Sequence, residues 1–148
     1  PGAAYIMNAL GDLKRHERQY DDALAWYTKV LAKDPQNYDA LYGSGACRRF
    51  SHVPEEALPF FRRALQVDPS SIAAKMALGE SLLFTGHARE AVPLLEEAAR
   101  ADPRFRRLQA LLGRAYQATG RAADAERVFE RYRKMPNSFV GLEEPGTP

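Results

Sequence analysis

Apolar residues return along this chain every three or four positions, in eight successive runs separated by short polar breaks. That spacing buries one face of a helix and does not suit a strand. The first run, over residues 4–17, carries Met7, Leu10 and Gly11 on one stripe. The second, over 20–33, carries Ala23, Leu24, Tyr27, Val30 and Leu31. Asp34-Pro35 closes it, because proline lacks a backbone donor and restricts the residue before it. Asn37 suits the N-cap of the next helix. The remaining runs fall at 38–51, 54–67, 72–85, 88–101, 106–119 and 122–135. Pro54 fits a first helical turn, and Gly86 and Gly120 fit C-terminal stops. Pro59 and Pro93 fall near the starts of their helices, so a slight bend without a break is expected there. Each helix of about 14 residues spans roughly 21 Å. Such helices are marginal alone, so stacking must supply their stability.

The eight runs form four copies of one pattern. Gly11, Gly45, Gly79 and Gly113 stand 34 residues apart, and each is followed twelve residues later by Ala23, Ala57, Ala91 or Ala125. Asp34-Pro35, Asp68-Pro69 and Asp102-Pro103 close the first three copies, and Pro136 the fourth. Glycine inside a helix costs roughly 0.5–1 kcal/mol against alanine. Four at one register must return something, most simply a close approach of the first helix of each pair to the second. A side chain at Gly79 should therefore overpack the array.

A 34-residue helix-turn-helix period is the signature of the tetratricopeptide repeat, and from 4 to about 137 the chain resembles that family. Leu112-Gly113, Tyr116, Gly120, Ala125, Phe129 and Tyr132 follow its pattern well. Leu78-Gly79, Leu82, Gly86, Ala91, Leu95, Ala98 and Pro103 do so in the third copy, and Leu10-Gly11, Tyr20, Ala23, Tyr27 and Pro35 in the first. The second copy departs most, with Ser44 before Gly45 and Arg48 where an aromatic is usual. The resemblance implies an all-α fold: a right-handed superhelical array of antiparallel helix pairs, an α-α solenoid of about eight helices. Its repeats would be 4–37, 38–71, 72–105 and 106–137, followed by a partly disordered tail over 138–148.

The resemblance also implies a concave groove lined by the first helix of each pair, where a peptide segment of a partner protein would lie. Helical spacing opposite the Leu-Gly stripe selects Tyr5, Asn8, Asp12 and Arg15, then Tyr42, Arg49 and Phe50. It continues with Met76, Glu80 and Phe84, then Arg107 and Arg114. An apolar centre of Tyr42, Phe50, Met76 and Phe84 inside a charged rim has the layout of a binding patch. Phe50 and Phe84 could equally pack against the neighbouring repeat. Some tetratricopeptide domains clamp a C-terminal carboxylate with Lys, Asn and Arg. The positions aligned with that clamp hold Asn8, Asp12, Gly43, Ala73 and Ala77, which argues against that mode. Arg107 and Arg114 lie two turns apart and could receive an acidic segment.

Charge sharpens this only at one end. Residues 1–100 hold 12 basic and 13 acidic residues, whereas 101–134 hold 9 basic and 4 acidic, so the fourth repeat is the basic one. The chain lacks a groove-reading motif, and no nucleic-acid partner is expected. No apolar run approaches the roughly 20 residues of a membrane span. The single cysteine, Cys47, rules out an internal disulfide and leans towards a cytoplasmic compartment, with a periplasmic one left open. Without an initiating Met or a signal peptide, the chain reads as a piece of something longer. His16, His52 and His87 sit a repeat apart and do not converge as metal ligands must. No phosphate loop or nucleophile elbow appears, so neither catalysis nor a cofactor is expected. The sequence therefore points to a scaffold for an unidentified protein or peptide. The alternative is a non-binding spacer or regulatory domain of a larger enzyme or envelope-assembly protein. Phe139 and Leu142 either fold back on the last repeat or drive self-association through its uncapped end.

Overall fold

The computed structural model describes residues 2–50 and 53–136, and these form eight α-helices and one short 3-10 turn with no strand. The helices are α1 (Gly2–His16), α2 (Tyr20–Lys33), α3 (Tyr38–Arg49), α4 (Ala57–Val67), α5 (Ile72–Phe84), α6 (Ala88–Ala101), α7 (Arg106–Ala118) and α8 (Ala122–Lys134). Each odd helix, here helix A, packs on the even helix that follows, helix B. Each helix B then packs on the next helix A. The A helices also touch in succession, α1 on α3, α3 on α5 and α5 on α7. This is a solenoid of antiparallel helix pairs.

Local signals start and stop the helices as the side chains require. The Asn37 side chain accepts from the Ala40 amide at 3.1 Å, and Ser71 from Ala74 at 3.0 Å, satisfying orphan donors of α3 and α5. Asp21 and Asp22 lie in the first turn of α2, where negative charge meets the positive end of the helix dipole. Pro93 sits inside an unbroken α6. Pro54 instead opens a 3-10 turn, Pro54–Glu56, and α4 starts only at Ala57, so Pro59 falls in its first turn.

The glycine lattice is the contact between helix A and helix B. A methyl carbon added at Gly11 would lie 2.6 Å from the Tyr27 ring, at Gly45 2.7 Å from Phe61, at Gly79 2.7 Å from Leu95, and at Gly113 2.5 Å from Phe129. Each partner is the residue four places after the lattice alanine, one turn along helix B. Ala23, Ala57, Ala91 and Ala125 are themselves buried. The helices approach so closely that helix A can offer only a hydrogen to the large side chain opposite. Gly79→Val is expected to cost about 1–3 kcal/mol, read as a fall in melting temperature; no fall would overturn this account of the lattice.

Gly86 and Gly120 adopt φ of +81° and +77° at the turn from helix A to helix B. Two and three periods earlier than these glycines, Arg18 holds φ +61° at the same register. A side chain in that left-handed region costs roughly 1–2 kcal/mol, partly offset because glycine loses more chain entropy on folding. Arg18→Gly should raise the melting temperature slightly, and Gly86→Arg should lower it. A calorimetric scan of the pair decides the sign.

Candidate functional site

The A helices bring several sequence-selected residues onto one face. Glu80 of α5 lies between Arg49 of α3 and Arg107 of α7. Arg49 donates a short hydrogen bond to Glu80 Oε2, and Arg107 reaches Oε1 at 2.8 Å and Oε2 at 2.9 Å. One carboxylate thus joins three successive A helices. Arg114, two turns along α7, is exposed and meets no acidic group among the described residues. Phe84, one turn beyond Glu80, is 75 % exposed. Phe50 is also exposed, yet its ring stacks on Tyr20 at 5.5 Å and lies under the Arg49 guanidinium at 4.8 Å.

Other selected residues serve the array itself. Asn8 is buried, and its amide donates to Asn37 Oδ1 at 2.9 Å, bracing the side chain that caps α3. Tyr42 is half-buried, stacked on Tyr38 and edge-on to Phe61. Met76 packs half-buried against the main core. Asp12 accepts from the Tyr27 hydroxyl at 2.7 Å and from Arg15 at 3.1 Å, so the two selected charges of α1 are engaged with each other and Asp12 also with the core tyrosine. Burial, and then this bond to Asp12, push the Tyr27 phenol above its ordinary range. Tyr5 is 77 % exposed near the start of α1.

A second concavity lies on the opposite, helix B side, and the sequence pattern did not single it out. It is an open cleft of about 520 Å³ between α6 and α8, floored by Leu112, Tyr116 and Val128 and edged by Arg100, Arg127 and Arg131. Its carboxylates are already held: Arg121 bonds Glu96 at 3.2 Å and Asp124 at 2.8 Å. Burial and the bond to Glu96 push Tyr116 up to about 12.

Among the described residues no group of three or more His, Cys, Asp or Glu is placed to hold a metal ion. His52 and the tail from 137, with Phe139 and Leu142, lie outside the described residues. Cys47 is buried, and burial pushes its thiol up to about 11. At pH 8 only about one part in a thousand would be thiolate. A disulfide reagent should therefore leave the native chain nearly unmodified over minutes and titrate one thiol after denaturation. Rapid native labelling would contradict this burial.

The family model for the bacterial transcriptional activator domain matches residues 4–147. The chain belongs to this family. No match is found among curated proteins. Solved structures of MamA are similar in fold to this bacterial transcriptional activator domain. One is 25 % identical with a TM-score of 0.81, covering 88 % of this chain and 71 % of that one. A second, MamA from residue 41 onward of Desulfovibrio magneticus RS-1, is 20 % identical with a TM-score of 0.83, covering 89 % and 75 %. The activator-domain fold is thus a helical-repeat solenoid. Among its described residues no helix is long and apolar enough to cross a membrane.

Proposed function

We propose that this bacterial transcriptional activator domain is a protein-interaction scaffold that holds a peptide segment of a partner along the helix A face. The observation that carries this reading is the bridge of Arg49, Glu80 and Arg107 across three A helices, beside an exposed Phe84. A carboxylate from an incoming segment can replace Glu80 on Arg107, the more exposed of the two arginines, while Arg114 receives a second acid. Phe84 supplies the apolar anchor, since a few aromatic and arginine contacts carry most of the energy in such interfaces. The segment is therefore acidic with at least one large apolar residue. The family description, bacterial transcriptional activator domain, supports a partner drawn from a transcription-regulating assembly.

We read the four units, three of 34 residues and a shorter last one, as tetratricopeptide repeats with the bounds 4–37, 38–71, 72–105 and 106–137. The groove residues are then Tyr5, Asp12, Arg15, Arg49, Phe50, Glu80, Phe84, Arg107 and Arg114. Asn8, Tyr42 and Met76 lie beneath them, supporting the face from within.

Capture from a bacterial lysate tests the reading, using the native chain and a Phe84→Ala, Arg107→Ala, Arg114→Ala variant. These side chains are exposed, so the variant should keep its circular dichroism and melting temperature. A protein retained by the native chain and lost from the variant supports the scaffold. Equal retention by both, or none, favours the spacer or regulatory domain.

A further inference from the structure

The cleft between α6 and α8 opens where the repeat pattern drops a leucine. The first two repeats carry Leu31 and Leu65 at the place where the third carries Ala99. Leu31 packs against the buried cluster around Tyr27 and also against that of Leu41, Ala64 and Ala74. Leu65 likewise packs against this second cluster and against the main core. Ala99 is too short to span the same gap, and it lines the open cleft of about 520 Å³. The corresponding cavity beside Pro35 and Arg63 is about 220 Å³.

An arginine is released at the same place. Arg63 donates to the Pro35 carbonyl at 2.6 Å. Their register mates two periods on are Arg131 and Pro103. There Gln109, fully buried where the second repeat has Leu41, donates to the Pro103 carbonyl instead, at 3.3 Å. Arg131 is exposed and forms no ion pair among the described residues, and the same holds for Arg100 on the opposite wall. The cleft is therefore polarised. At one end Arg121 holds both Glu96 and Asp124, and the Tyr116 hydroxyl donates to Glu96 at 2.7 Å. Arg100 lies one turn beyond Glu96 on α6 and Arg131 two turns beyond Asp124 on α8, so unpaired cations edge the other end.

We propose that this cleft binds a small amphipathic carboxylate, its acid head on Arg100 and Arg131 and its apolar chain lying where a leucine stands in the earlier repeats. Guanidinium groups pair with a carboxylate through charge-assisted and often bidentate hydrogen bonds. The chain covers Leu112 and Val128 on the floor. Size selects a small molecule over a protein. From Asp124 to Arg131 the cleft runs about 10 Å along α8, short of the about 800 Å² per partner that a standard protein interface buries. Its volume falls in the range of small-molecule sites. The site lies on the helix B side and does not depend on the reading of the helix A face.

Calorimetric titration of the full chain with octanoate, octanol and octylammonium tests this, beside an Ala99→Leu variant and an Arg100→Ala, Arg131→Ala variant. Ala99→Leu restores the side chain that the first two repeats carry, and the two arginines are exposed. Both variants should therefore keep the native circular dichroism; if Ala99→Leu does not, the arginine variant decides alone. Octanoate should bind the native chain and slow hydrogen exchange in α6 and α8. Losing the two arginines should weaken it by about tenfold or more, octanol should be weaker by a similar factor, and Ala99→Leu should abolish binding. No binding of octanoate to the native chain, equal binding of octylammonium or octanol, undiminished binding to the arginine variant or to folded Ala99→Leu, or protection outside α6 and α8 overturns the proposal. So does binding of a capped acidic tetrapeptide in place of octanoate, which would assign the cleft to a protein segment.

Discussion

Tyr27→Ala is expected to destabilise the chain more than any other single truncation, by about 3–5 kcal/mol. The ring is fully buried and fills the space between α1, α2 and α3, against Gly11 on one side and Gly43 on the other. The cavity left behind has few ways to collapse, because both glycines are backbone with no side chain to move inwards. Its hydroxyl also donates to Asp12, and Asp12 holds Arg15. Tyr27→Phe separates the two effects: it keeps the packing and loses only the hydrogen bond, for about 1 kcal/mol. Chemical denaturation of the two variants checks the ratio. Equal losses would mean that the hydrogen bond, not the packing, secures the first repeat.

Gly43→Val should come next, at the upper end of the about 1–3 kcal/mol range for overpacking or above it. A carbon added at Gly43 would overlap the edge of the Tyr27 ring at Cζ, a closer approach than at any other glycine of the described residues. The ring cannot retreat, since Gly11 on α1 confines its other face. Gly79→Val meets a leucine, which can change rotamer, and should cost less. A thermal scan that ranks Gly79→Val as the more damaging would contradict this geometry.

Gly43 also shows where the sequence pattern stops being readable. The four lattice glycines stand out because they repeat, and period alone places them against helix B. Gly43 has no glycine at the equivalent places, where Ala9, Ala77 and Leu111 stand. Its role comes from the size of one ring in the neighbouring helix, a property of the pair that no single-helix pattern contains. The same limit applies to the helix A face. Helical spacing assigns Arg49, Glu80 and Arg107 each to the same stripe of its own helix, because i, i+3 and i+4 positions of one helix share a face. It could not say that one carboxylate would be held by both arginines, since that depends on how far neighbouring A helices are offset. It also could not separate Tyr42 and Met76, which turn partly into the core, from Phe84, which does not. The margin of a helical face is shared between solvent and the next helix, and the crossing geometry decides which side wins. Arg18 was hidden for a different reason: its left-handed backbone sits under a residue type that carries no turn signal.

The one measurement that tests the account most directly is hydrogen exchange of this chain with and without the captured partner segment, read by mass spectrometry. Binding along the helix A face should slow exchange in α3, α5 and α7, around Arg49, Glu80 and Arg107, and the Phe84→Ala, Arg107→Ala, Arg114→Ala variant should lose that protection. Protection confined to α6 and α8, around the cleft edged by Arg100 and Arg131, would contradict the account and move the binding site to the helix B side.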